Sequence, residues 1–205
     1  MLNFAETKKA KKDFGRLEDG AYPARVVQIL DFGMQYATDY KTGEIKKYDD
    51  GNEVIQHKVF ITFEFPTETI EIDGVQKPRW LGKEFSVSSH EKSALFSLLK
   101  AIDPKGENTN KGRNVRGMLG LPAMVTVGST SGGKAKVSSV SGVPKGMQVD
   151  ALQNPEGFFD LDSDDVATFE SLPKWMQERI TTGIGFDETA FYQAVNQVDT
   201  AKGDY

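Results

Sequence analysis

Apolar and polar residues alternate most regularly over residues 55–65. Ile55, His57, Val59, Ile61, Phe63 and Phe65 share one face of an extended chain, and Gln56, Lys58, Phe60, Thr62 and Glu64 share the other. A period of two held over that length predicts a long, half-buried β-strand. Residues 22–32, rich in Val, Ile and aromatics with Pro23 at the entry, predict a strand before it. The polar stretch 37–53 predicts a loop or a hairpin with a long tip. Residues 70–75 predict a strand end with an Asp73-Gly74 turn, and residues 79–88 a further strand.

The period then changes. Leu95, Leu98, Leu99 and Ile102 make one helical stripe, preceded by Ser88 and Glu91 at capping-box spacing and ended by Asp103-Pro104. A basic, Asn- and Gly-rich loop over 105–116 leads to strands at 123–127 and 135–140, joined by a glycine-rich hairpin. Three strands, a helix and two strands predict a mainly β protein, a five-stranded OB-fold barrel with one helix between strands 3 and 4. Other small barrels and α+β sandwiches share this order. Beyond it, Ser171-Leu172-Pro173 opens a short helix carrying Trp175, Met176 and Ile180, and Gly183-Ile184-Gly185 breaks it. Asp187 is positioned to cap a second short helix with Phe191, Ala194 and Val195. The expected organisation is a flexible basic arm at 1–18, a barrel domain at 19–150 and an acidic C-terminal extension with short helices at 151–205.

Charge sharpens this division. Residues 1–150 carry 22 Lys and Arg against 19 Asp and Glu, whereas residues 151–205 carry 3 against 11. Within 74–149, twelve bases face four acids, a balance of +8, while the extension stands at −8. A basic body with an acidic tail is a layout of proteins that handle nucleic acid. At 205 residues and 38% apolar content, the chain is long and apolar enough for a real core. No window reaches the ~20 apolar residues of a membrane helix, and the first residues lack the apolar run of a secretory signal. A soluble, cytoplasmic protein is expected.

Catalysis finds little to build on. The chain has no cysteine, which excludes disulfides, Cys-zinc sites and thiol nucleophiles. His57 and His90 are the only imidazoles. Acid pairs such as Asp49-Asp50 and Asp164-Asp165 fall in predicted loops rather than on a scaffold that would aim them into one pocket. Gly128 to Lys134 matches most of a phosphate-binding loop, but Ala135 replaces the hydroxyl residue and the flanking alternation is that of a strand. A hairpin turn is the better reading. No enzyme activity, metal or cofactor is expected.

Single-stranded nucleic acid needs cations along a groove and aromatic faces for its bases. The cationic candidates are Lys58, Lys77, Arg79, Lys83, Lys111, Arg113, Arg116, Lys134 and Lys136, and the aromatic ones are Phe60 and Trp80. Tyr36, Tyr40 and Tyr48 stand in or beside a polar loop with Lys41, Lys46 and Lys47. In the extension, Phe158, Phe159, Asp160, Asp162, Asp164, Asp165 and the terminal Tyr205 form a candidate partner-binding segment. Its charge is expected to compete with DNA for the groove.

Three stretches carry a resemblance: Asp19-Gly20-Ala21-Tyr22-Pro23-Ala24-Arg25-Val26-Val27-Gln28, Lys77-Pro78-Arg79-Trp80-Leu81, and Phe159-Asp160-Leu161-Asp162 through Ser171-Leu172-Pro173-Lys174-Trp175-Met176-Gln177. Together they resemble a family of bacteriophage single-stranded DNA-binding proteins over about residues 14–181. The resemblance implies an OB-fold core, sequence-tolerant coating of single-stranded DNA in phage replication or recombination, and recruitment of replication or recombination proteins by an acidic tail. The chain departs from that pattern at its end, where Ala201-Lys202-Gly203 precedes Asp204-Tyr205 in place of an acidic run. The alternative from another class is a phage protein–protein interaction module, an inhibitor of a host enzyme or a virion component.

Overall fold

The structure, a computed structural model, describes residues 15–39, 41–88, 90–163 and 165–202. Five long strands, β1 (Gly20–Tyr36), β2 (Ile55–Ile72), β3 (Val75–Ser86), β4 (Pro122–Ser129) and β5 (Ala135–Ser141), run antiparallel in the order β3-β2-β1-β4-β5. A short β6 (Gly157–Phe159) pairs parallel to β1. The helix α1 (Ala94–Ile102) follows β3, as the stripe at 95–102 predicts. The ladder is open between β3 and β5, so the architecture is a mainly β, six-stranded sheet with helices.

β1 serves two neighbours on one edge because it bends. Bulges lie between Val26 and Gln28 and between Asp31 and Gly33, and each adds local twist. Gly20 to Arg25 pair with β4, and Gln28 to Leu30 pair with β6 on the edge that β4 vacates. The other edge pairs with β2 from Arg25 to Tyr36. β2 and β3 turn at Asp73-Gly74, both with positive φ (52° and 79°), the backbone that an Asp-Gly hairpin turn requires.

One core lies on the inner face of the sheet. Val59, Ile61, Phe63 and Phe65 of β2 pack with Ile29, Phe85, Val125 and Val127 and with the stripe Leu95, Leu98, Leu99 and Ile102 of α1. The outer face carries a second core. Leu30 and Phe32 of β1 pack with Phe159, Leu161, Leu172, Met176, Ile180 and Phe191 of the extension. β2 is therefore buried on both faces through its centre, not half-buried as the alternation predicts. The extension is folded onto the sheet through β6, α2 (Val166–Ser171), α3 (Lys174–Thr181) and α4 (Ala190–Lys202). Hydrogen bonds fasten it: the Ile184 backbone N–H donates to Met34 O at 2.7 Å, and the buried Gln35 side-chain amide donates to Arg179 O at 2.8 Å. At Gly33, φ is +69° and an added Cβ would lie 2.7 Å from a Leu161 methyl, so a side chain there would strain the backbone and push Leu161 aside.

Two local expectations are corrected. The N-cap of α1 is Ser93, whose Oγ accepts from Phe96 N–H at 3.2 Å, not Ser88. Ser88 and His90 instead shape the preceding turn, because the apolar stripe gives the helix a face to bury only from Leu95 on. Asp187 sits in a 3-10 turn, and Thr189 Oγ1 accepts from Tyr192 N–H at the start of α4. Of the expected flexible arm at 1–18, residues 1–14 lie outside the described residues, and Leu17 is buried in the inner core.

Candidate functional site

Trp80 lies near the middle of β3, opposite Glu64 of β2. Its indole N–H donates to Glu64 Oε2 at 2.9 Å. Glu64 is fully buried and also accepts from Gln153 N–H and from the Asn154 amide, each at 2.6 Å. The carboxylate thus ties β2, β3 and the segment leading to β6 together at one point. Trp80 keeps 44% of its surface exposed. The hydrogen bond fixes the ring while leaving it accessible.

Two grooves meet at Trp80. The first, of about 390 Å³, runs along the open side between β3 and the start of β5, and Arg16, Lys77 and Arg79 supply its charge. Arg79 donates to Gly15 O at 2.9 Å and to Thr69 O at 3.3 Å. Arg16 donates to Gly133 O at 3.0 Å and contacts Ser129 Oγ, which fastens the segment before β1 to the β4–β5 hairpin. The second, of about 650 Å³, separates the outer face of β2 and β3 from α3, and Phe60, Trp80 and Trp175 are its aromatic walls.

The expected cations do not all gather here. Lys77 and Arg79 do, together with Trp80. Lys83 bridges β3 and β5, its ammonium donating to Ser138 O at 3.4 Å. Lys58 is only 14% exposed, bonded to Gln56 and Ser86 and 3.8 Å from Glu84. Burial pushes its ammonium below the ordinary lysine range, with Glu84 pulling the other way. It is a structural cation, not one offered to a ligand. Arg116 lies over the Phe158 ring at 4.8 Å. Lys111 and Arg113 are exposed on the loop after α1, and Lys134 and Lys136 are exposed on the β4–β5 hairpin.

Phe60 is largely a packing residue. Its ring stacks on Phe32 at 5.4 Å and meets Trp175 edge-on at 5.4 Å. It lies over Gly82, where an added Cβ would come within 2.3 Å of the ring. Tyr48 is exposed on the β1–β2 hairpin, which is held by short bridges between Thr38 and Ile45 and between Lys47 and Glu53.

Within the expected partner segment, Asp162 and Asp165 are exposed, but the two aromatic anchors are not. Phe159 is 1% exposed and belongs to the outer core, and Phe158 packs against the inner one. Asp160 Oδ1 accepts from Asp162 N–H in a turn, and Asp165 caps α2 by accepting from Thr168. Tyr40, Asp164 and Tyr205 lie outside the described residues. Asp162 raises the pKa of His57 through space, behind the dominant effect of Asp31, whose Oδ1 lies 2.6 Å from His57 Nε2. His57 is seven residues along β2 from Glu64, roughly 23 Å at strand rise. The acidic turn therefore stands at the far end of the sheet from Trp80.

Residue pattern alone does not assign Arg16, Glu64 or Trp175 to the site. Trp175 had a readable signal: Met176 and Ile180 share one helical stripe, and Trp175 falls beside it.

No family model, curated protein or solved structure matches this chain. Among the described residues, no three His, Asp or Glu side chains gather to hold a metal ion, and no helix is long and apolar enough to cross a membrane.

Proposed function

We propose that this protein binds single-stranded DNA without sequence preference, along the groove beside Trp80, and that its sheet is an OB-fold barrel whose last seam, between β3 and β5, is bridged by side chains. The observation that carries the reading is the juxtaposition at β3. A half-exposed Trp80, immobilised by Glu64, borders a groove whose charged residues are Arg16, Lys77 and Arg79. Stacking platforms for unpaired bases need a rigid, accessible ring, and phosphate tracking needs cations within a few ångströms of it. The barrel reading is supported by the strand order, by α1 between β3 and β4, and by Lys83 reaching Ser138 O across the seam. The resemblance to phage single-stranded DNA-binding proteins points the same way, toward coating of strands in replication or recombination. Recruitment of other replication proteins would then fall to surfaces of the folded extension.

The second reading, a protein-interaction module, is favoured by one observation. Tyr36, Ile45, Tyr48 and Ile55 are exposed together on or beside the β1–β2 hairpin. Titration of a fluorescent oligo-dT at several salt concentrations separates the two. DNA binding gives affinity that falls with salt, and an oligonucleotide that binds only as duplex, or not at all, sinks the first reading.

A further inference from the structure

Resting on that reading, we propose that the groove between α3 and the outer face of β2 and β3 is a nucleobase subsite, and that Trp175 of the extension is one of its stacking walls. The C-terminal extension then completes the binding site instead of competing for it. The cavity, about 650 Å³, is of the size that holds small organic ligands. Trp80 lines this groove and the cationic one alike, so a strand whose phosphates follow Lys77 and Arg79 can turn its next base over the ring into the second groove.

The chemistry of the walls suits a base. Trp175 is 52% exposed although it touches both Phe60 and Phe32 edge-on, at 5.4 and 6.3 Å. Its ring is thus braced on one side and open on the other. Among the described residues, no acidic side chain lines the groove. The nearby Glu84 is paired with Arg179 at 3.2 Å and with Lys58, so its charge is compensated. Gln28, Thr62 and Ser171 provide hydrogen-bonding groups on the wall, with Thr62 Oγ1 donating to Gln28 Oε1 at 3.4 Å. An aliphatic peptide would use the apolar area but would gain nothing from the adjoining cations, which is why the continuity of the two grooves favours a nucleotide.

Trp80 and Trp175 are the only two tryptophans, so each can be read alone. Full-length Trp80→Phe and Trp175→Phe proteins are titrated with oligo-dT, following intrinsic fluorescence, while anisotropy of a labelled oligo-dT reports affinity for these and for Trp175→Ala. Quenching of Trp175 and Trp80 at the same DNA concentration is expected. Trp175→Ala should weaken oligo-dT binding by about 5- to 150-fold, the range for one lost stacking platform, and leave affinity for an abasic deoxyribose-phosphate oligomer unchanged. Trp175→Phe should retain most of the affinity. If Trp80 alone is quenched and Trp175→Ala binds like the parent, the subsite is overturned and the DNA-binding reading stands. An equal loss on the abasic oligomer would also overturn it, because the effect would then not involve a base. If the parent protein binds no oligonucleotide, both fall. Should Trp175→Ala fail to fold, the fluorescence of the single-tryptophan proteins decides.

Discussion

The indole of Trp80 and the carboxylate of Glu64 form a cross-strand pair in which an exposed ring is anchored by a fully buried acid. Glu64 falls on the polar face of β2, yet it is among the most buried residues of the chain. Its solvent is replaced by three donors, the Trp80 indole, the Gln153 backbone and the Asn154 amide. Removing the carboxylate strands all three. Glu64→Ala is expected to cost about 2–4 kcal/mol, since hydrogen bonds to charged groups and the donors left behind both count. Glu64→Gln should cost less, because its amide oxygen still accepts. Urea denaturation measures both, and a red shift of Trp80 emission in Trp175→Phe protein reports release of the ring.

The outer core makes a prediction about truncation. Leu30 and Phe32 of β1 are covered by residues of the extension. Cutting the chain after residue 150 should expose them, remove β6 and yield a protein that aggregates or binds a hydrophobic dye. Phe191→Ala, at a site 1% exposed, should cost about 3–5 kcal/mol in the full chain. A soluble, cooperatively folding truncation would show that the inner core suffices.

His57 and Asp31 couple stability to pH. The short contact to Asp31 raises the His57 pKa above its ordinary value of 6.5, outweighing burial, and Asp162 adds to the rise. A raised value in the folded state means that this contribution is fully present below about pH 6.5. It is lost as pH climbs through the folded-state value. The thermal midpoint should therefore decline on the alkaline side of that window, and Asp31→Asn should flatten the decline. A midpoint in the parent that rises with pH across this window would contradict the assignment.

Salt dependence separates cations in use from cations in structure. A single strand contributes a slope of about −0.7 per neutralised phosphate in log K against log salt, and a few contacts give roughly −2 to −4. Lys77→Ala should make that slope shallower by about 0.7. Lys58→Ala should leave it unchanged while lowering stability, since Lys58 is held by Gln56, Ser86 and Glu84. An equal change of slope in both variants would remove the distinction.

Gly82 tests the packing of Phe60. An added methyl would overlap the ring by more than any contact allows, so Gly82→Ala should displace Phe60 and cost about 1–3 kcal/mol. Calorimetry of the variant measures it, and near-UV circular dichroism reports the aromatic cluster of Phe32, Phe60 and Trp175.

What the sequence by itself determined is local. The alternation at 55–65, the Asp73-Gly74 turn, the stripe of α1 and the glycine-rich hairpin at 128–133 are each dictated by neighbours within a few residues, and the element order of three strands, a helix and two strands follows from them. Which polar face is buried is a different kind of fact. Period two says that β2 has two faces, but only the extension, arriving some ninety residues later in the chain, decides that both are covered and that Glu64 receives two of its three donors. The same holds for the site. Charge counts along the chain cannot distinguish Lys77, on a groove, from Lys58, paired with Glu84, because pairing depends on which strands lie side by side. Phe159 reads as an exposed anchor among acids, yet it is drawn into the sheet because β4 leaves an edge of β1 open and the outer face of Leu30 and Phe32 must be shielded from water.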